Sequence, residues 1–146
     1  MTYTDMLIQV VTSFFGTLGF GFLFNIRGKK LLYASVGGML SWLLFLLLQP
    51  LAPNEALRYL IVSICSTTYA EILARLLKTP ATTFSIITLI PLVPGGALYQ
   101  TTTAALDRNV EEFVPKLIYT IELAVALSLG IVIVTAIFRR IAQKKV

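Results

Sequence analysis

The segment LIYTIELAVALSLGIVIVTAIF, residues 117–138, decides the fold class. It carries one charged residue, Glu122, and is bounded by Lys116 on one side and by Arg139 and Arg140 on the other. At 1.5 Å per residue such a helix covers about 33 Å, enough to cross the hydrocarbon core of a bilayer. Working outward, apolar runs of similar length occupy residues 3–24, 31–48, 56–77 and 81–106, separated by short polar or basic turns. The chain is therefore expected to be an all-α integral membrane protein, a single transmembrane domain over residues 1–146 with about five spans. Composition agrees. Hydrophobic residues make up 57% and charged residues 13%, with a mean hydropathy of +0.85. Soluble domains lie near 45–50% and about 25%.

These properties exclude several functions. The net charge of +5 does not mark a nucleic-acid partner, because the basic residues sit at the ends of apolar runs instead of on a soluble face. The chain has no histidine, which removes His-activated nucleophiles and His-ligated metals. No metal site, cofactor or enzymatic activity is expected. Cys65 lies alone inside an apolar run, so it reads as a small buried hydrophobe. The N-terminus is not expected to be a signal peptide, since it lacks a basic region and carries Asp5.

The basic residues predict orientation. If the loop after the first span is cytoplasmic, then Arg27, Lys29, Lys30, Arg75, Lys78, Arg139, Arg140, Lys144 and Lys145 lie inside. Arg58, Arg108 and Lys116 lie outside. This places the N-terminus outside and the C-terminus inside. Tyr3, Tyr59 and Tyr119 then fall at the outer interface and Tyr33 at the inner one, as an aromatic belt does. Tyr69 and Tyr99 lie deeper, so their hydroxyls need partners in protein.

The fourth segment is interrupted at Pro91-Leu92-Val93-Pro94-Gly95-Gly96. Each proline removes an amide donor, and Gly95-Gly96 frees the backbone. Non-helical backbone at membrane depth must be buried in protein or line a polar cavity. A second half-helix is expected from Gly95 through Tyr99 and Thr101. Its N-terminus would present free amides near the bilayer midplane, suited to a carboxylate-bearing substrate. A purely structural kink is the alternative. Because residues 139–145 must face inside, the segment is expected to cross fully instead of re-entering.

Glu71 and Arg75 are spaced i, i+4 in the order that favours a helical ion pair. Intramembrane carboxylates are costly and usually face a partner or a polar path. Glu71 is accordingly a candidate for proton coupling or for a substrate ammonium, with Arg75 as its modulator. The competing reading is an ion pair that fixes helix packing. In the first span Asp5, Gln9, Thr12, Gly16 and Gly19 share one face, and in the second Gly37, Gly38 and Ser41 are close together. Small and hydroxyl residues at such spacing point to helix–helix packing at Gly16, Gly19, Gly37 and Gly38. Glu122 reads as a carboxylate reaching the outer interface. Five spans make a thin bundle, so lipid must be supplemented by a partner protein or a homo-oligomer to cover the polar stripes.

The run Tyr69-Ala70-Glu71-Ile72-Leu73-Ala74-Arg75-Leu76-Leu77-Lys78-Thr79-Pro80-Ala81-Thr82-Thr83-Phe84, followed by Ile90-Pro91-Leu92-Val93-Pro94-Gly95-Gly96-Ala97-Leu98-Tyr99, resembles the threonine/serine exporter family. Phe24-Asn25-Ile26 and the length of the chain are similar to its small membrane subunit. The resemblance implies one half of a secondary transporter that exports threonine and serine, driven by the proton gradient and working with a larger membrane subunit. Two alternatives stay open: an exporter of small carboxylic acids such as dicarboxylates, and a non-transporting subunit that assembles the larger partner.

Overall fold

The computed structural model describes residues 3–143, so the basic residues Lys144 and Lys145 lie outside the described residues. The chain forms α1 (Tyr3–Leu23), α2 (Lys29–Leu47), α3 (Glu55–Leu76), α4 (Ala81–Leu89), a 3₁₀ turn (Ile90–Leu92), α5 (Gly95–Leu106) and α6 (Val110–Gln143). There is no strand among the described residues. Helices α1, α2, α3 and α6 are each long and apolar enough to cross a membrane. Taken together, α4 with its turn and α5 are also long and apolar enough to form a fifth span, bent by 61° at the break.

Local chemistry sets the element ends. Asn54 Oδ1 accepts the Leu57 amide at 3.0 Å and starts α3. Three helices close in the same way. After α1, α3 and α5, the residues Asn25, Lys78 and Arg108 adopt φ of 57°, 47° and 53°. The following amides of Ile26, Thr79 and Asn109 then reach back to the carbonyls of Gly21, Ala74 and Ala104, satisfying groups that would otherwise be orphaned. Helix α6 begins earlier than its apolar window, and the polar loop expected over residues 107–116 shrinks to 107–109. Asn109 Oδ1 accepts the Glu112 amide at 3.3 Å, and Glu111 and Glu112 complement the positive helix end. Pro115 is absorbed close to that end.

Packing follows from small residues at the crossings. Helices α1 and α2 run antiparallel, with Gly21 against Leu31 and Gly38 against Thr17. Gly37 lies under Tyr69 and Thr88, admitting α3 and α4. Helices α3 and α6 run parallel. The Tyr119 hydroxyl donates to Glu55 at one end, Gly130 meets Ser63 and the Leu60 carbonyl in the middle, and Arg75 Nη2 donates to the Phe138 carbonyl at 3.1 Å at the other end. Two parallel helices can be joined only by chain that returns from one end of the bundle to the other. The segment from α4 to α5 therefore traverses the bundle, as a broken span does and a re-entrant hairpin does not.

Two apolar clusters form the core. One holds Ile26, Leu31, Ala70, Ala74, Phe84 and Ile87. The other holds Phe45, Tyr59, Val62, Leu89, Leu92 and Leu123. The first joins the α1–α2 loop to the end of α3, so Arg27, Lys29, Lys30, Arg75 and Lys78 gather at the same end as Phe138 and Arg139. Arg58 and Lys116 lie at the opposite end, beside Glu55 and Tyr119. Charge thus divides between the two ends as the basic-residue count expects.

Candidate functional site

Helix α4 and its turn run back along α3, so the helix break falls opposite the first turns of α3. There Pro91, Val93, Pro94, Gly95, Gly96 and Ala97 form one wall of a cleft of about 380 Å³. The remaining walls come from Trp42 of α2, Glu55 and Tyr59 of α3, Gln100 of α5, and Tyr119 and Leu123 of α6. A volume of this size lies within the range of small-molecule sites.

The break itself is built from the sequence. With no amide on Pro91 or Pro94, the helical ladder stops, and the Val93 amide turns to the Ile90 carbonyl at 3.1 Å. The Gly95 amide is taken by the Val93 carbonyl at 2.6 Å. Pro94 occupies the cap position of α5 and provides no side-chain acceptor. The first-turn amides of Gly96 and Ala97 are therefore uncapped and belong to residues lining the cleft. A helix start in this condition carries partial positive charge and two free donors.

Opposite this wall stands a carboxylate. Tyr119 donates its hydroxyl to Glu55 Oε2, and Arg58 Nη2 lies 3.9 Å from the same oxygen. Arg58 is itself buried, with its guanidinium 4.9 Å from the centroid of the Phe45 ring. Its Nε has no hydrogen-bond partner. Trp42 stacks on Phe45 at 5.3 Å, and Phe45 meets Tyr59 edge-on at 5.0 Å, giving a continuous aromatic row beneath the cleft. A second groove of about 370 Å³ adjoins it across Trp42 and Pro91, lined by Gln9, Thr12 and Ser13 of α1. Gln9 Oε1 accepts the Trp42 indole N–H at 3.2 Å.

The residues singled out from sequence separate into distinct places. Pro91, Pro94, Gly95 and Gly96 come together in the cleft beside the first turns of α3, because α4 runs along α3 from Ala74 toward Tyr59. Tyr99 points away and is exposed. Thr101 bonds Thr120 at 2.9 Å and ties α5 to α6. Glu71 and Arg75 lie about 18 and 24 Å along α3 from Tyr59, outside the cleft. Glu71 is buried, with Oε2 3.7 Å from Arg75 Nη2. Arg75 also stacks on Phe138 at 4.7 Å. Gly37 and Gly38 sit at helix crossings, whereas a Cβ added at Gly16 or Gly19 would meet nothing within 4 Å, and both are exposed. Cys65 is exposed, correcting its reading as a buried hydrophobe: α3 leaves that side uncovered by its own chain. Tyr59, expected in the interfacial belt, is packed in protein. The Tyr69 hydroxyl finds its expected partner in the Tyr33 carbonyl, at 2.8 Å.

Sequence reasoning missed Trp42, Glu55, Tyr59, Gln100 and Tyr119 as parts of one site. The available signal was the i, i+4 pair Glu55 and Tyr59 at the start of a span, a carboxylate and an aromatic on one helix face.

A model of the family described as Threonine/Serine exporter, ThrE, matches residues 9–137. The match covers most of the chain and all of the cleft, and the chain belongs to this threonine/serine exporter family. No curated protein and no solved structure matches it.

Proposed function

We propose that this member of the threonine/serine exporter family is one subunit of a secondary transporter that carries threonine and serine out of a bacterial cell, working with a larger membrane partner and driven by the proton gradient. The observation that carries the proposal is the uncapped start of α5 facing the cleft. Its amides suit the carboxylate of an amino acid, as the half-helices of transporters with broken spans do. The orientation follows the basic residues, with Arg27, Lys29, Lys30, Arg75 and Lys78 in the cytoplasm and the cleft toward the outer side.

Proton coupling is assigned to Glu71. Its carboxylate is buried within a span and meets one loosely placed cation, Arg75, and intramembrane carboxylates of this kind mark proton paths. Substrate and proton then occupy separate stations along α3, linked through that helix. The need for a partner follows from exposure. Helix α1 contacts little beyond α2, and Gln100 of α5 is exposed within an apolar helix, where lipid would offer its amide no hydrogen bonds. A larger subunit covering these faces would complete the pathway; a second copy of this chain is the other way to do so.

The test is threonine efflux from cells loaded with a threonine-containing dipeptide. Cells express this chain, its larger partner, or both. Efflux only with both supports the two-subunit exporter. Efflux from this chain alone points to a homo-oligomer. No efflux in any strain sinks the amino-acid assignment and brings forward the dicarboxylate cargo, which the same α5 start would also attract. A complex that forms while transport is unaffected by cleft substitutions would leave this chain an assembly subunit.

A further inference from the structure

We infer that Glu55 holds the substrate's ammonium group, making the cleft selective for α-amino acids over acids of similar shape that lack the amine. The inference rests on the reading of the cleft as the substrate site. Glu55 lines that cleft, and its side chain is 35% exposed. Both of its contacts fall on one oxygen: the Tyr119 hydroxyl and Arg58 Nη2 approach Oε2. Oε1 has no partner among the described residues. At 3.9 Å the Arg58 contact is long for a charged hydrogen bond, and its guanidinium is engaged with the Phe45 face. Glu55 therefore keeps one oxygen open toward the cleft, with its charge only partly offset by Arg58.

The surroundings favour a cation there and not elsewhere. Trp42 and Tyr59 line the same cleft, and aromatic faces attract ammonium groups. Across the cleft, the start of α5 carries the opposite polarity and repels an ammonium while attracting a carboxylate. The cleft is thus bipolar, matching a zwitterion set across it. A dicarboxylate placed in the same way would set its second carboxylate against Glu55, a like-charge contact that disfavours it.

The experiment uses a host strain lacking the chain and complemented with variants, so that any native partner is present. Inverted membrane vesicles are assayed for labelled threonine uptake, with competition by unlabelled threonine, 3-hydroxybutanoate and succinate, and membrane levels are checked by immunoblot. Glu55→Gln keeps the shape and removes the charge. It is expected to lower threonine uptake about 10- to 100-fold, the worth of one charged hydrogen bond, and to erase the preference over 3-hydroxybutanoate. Gly96→Val tests the cleft itself. An added Cβ meets nothing within 4 Å, so the side chain starts from open space beside the uncapped amides, and uptake is expected to be lost at an unchanged membrane level. If Gly96→Val abolishes uptake but Glu55→Gln leaves the preference unchanged, the inference fails and the cleft stands. If neither variant alters uptake, both fail. Should Glu55→Gln not accumulate, Glu55→Asp withdraws the charge by one methylene. Reduced preference then supports the inference, and unchanged preference overturns it.

Discussion

At Gly130 α6 packs tightly against α3, and replacing this glycine with alanine tests the parallel packing of the two helices. A Cβ at this position would overlap Ser63 Oγ, lie 2.9 Å from Ser63 Cβ and stand 3.0 Å from the Leu60 carbonyl oxygen. Rotation of the serine hydroxyl relieves the first contact but neither of the others, and the Leu60 oxygen belongs to a helix backbone. Two effects oppose one another. Replacing a helical glycine by alanine gains roughly 0.5–1 kcal/mol, while overpacking a close contact costs about 1–3 kcal/mol. Gly19→Ala separates them, because Gly19 is also helical but meets nothing within 4 Å. The two variants share the propensity gain, so their difference isolates the packing cost of about 1–3 kcal/mol. The assay is unfolding of the purified chain in mixed micelles by increasing dodecyl sulfate, followed by the fluorescence of Trp42, the single tryptophan. Gly19→Ala should match or exceed the wild type, and Gly130→Ala should fall below both. Adding Ser63→Gly to Gly130→Ala should recover part of the loss. Equal stability for Gly130→Ala and Gly19→Ala would refute the close α3–α6 crossing, and with it the argument that α4 and α5 traverse the bundle.

Further outcomes are expected. Glu71→Gln should lower proton-dependent threonine transport at least tenfold while leaving membrane levels unchanged; transport at the wild-type rate would leave Glu71 with a packing role only. Arg75→Ala removes the bond to the Phe138 carbonyl and the stacking on its ring, and should destabilise the chain by about 1–2 kcal/mol, measured by the same micellar titration. Thr101→Val combined with Thr120→Val should weaken the α5–α6 pair by roughly 0.6 kcal/mol, the usual worth of one interhelical hydrogen bond in a membrane, and a loss above about 2 kcal/mol would contradict that assignment. Gly16→Ala should leave the isolated chain intact; a fall in co-purification of the larger subunit would identify the exposed side of α1 as the surface it covers.

The spans were legible because hydropathy reports on lipid directly: the bounds read for the second and third spans differ from α2 and α3 by no more than two residues. The break was legible for a covalent reason, since Pro91 and Pro94 remove amide donors whatever surrounds them. The start of α6 was not, because Glu111, Glu112 and Pro115 read as loop residues until the Asn109 cap turns acidic side chains into first-turn stabilisers. The cleft was only half legible. Its Pro-Gly wall lies in one stretch of sequence. Glu55 and Tyr119 are 64 positions apart and become neighbours only because α3 and α6 are parallel, a relation that periodicity within a helix does not encode. The same limit grouped Glu71 with the break, since sequence places both near the middle of spans and says nothing of how far along a neighbouring helix each lies.

The parallel pairing also orders events during synthesis. Everything from α1 to α4 can find its neighbours among segments already made, but the Ser63 side of α3 waits for Gly130, and Glu55 waits for Tyr119. Until the ribosome has released α6, the site has a floor and one wall and no far side. A chain truncated after α5 would accordingly keep most of its helices, while the side of the cleft that Tyr119 and Leu123 supply would stand open.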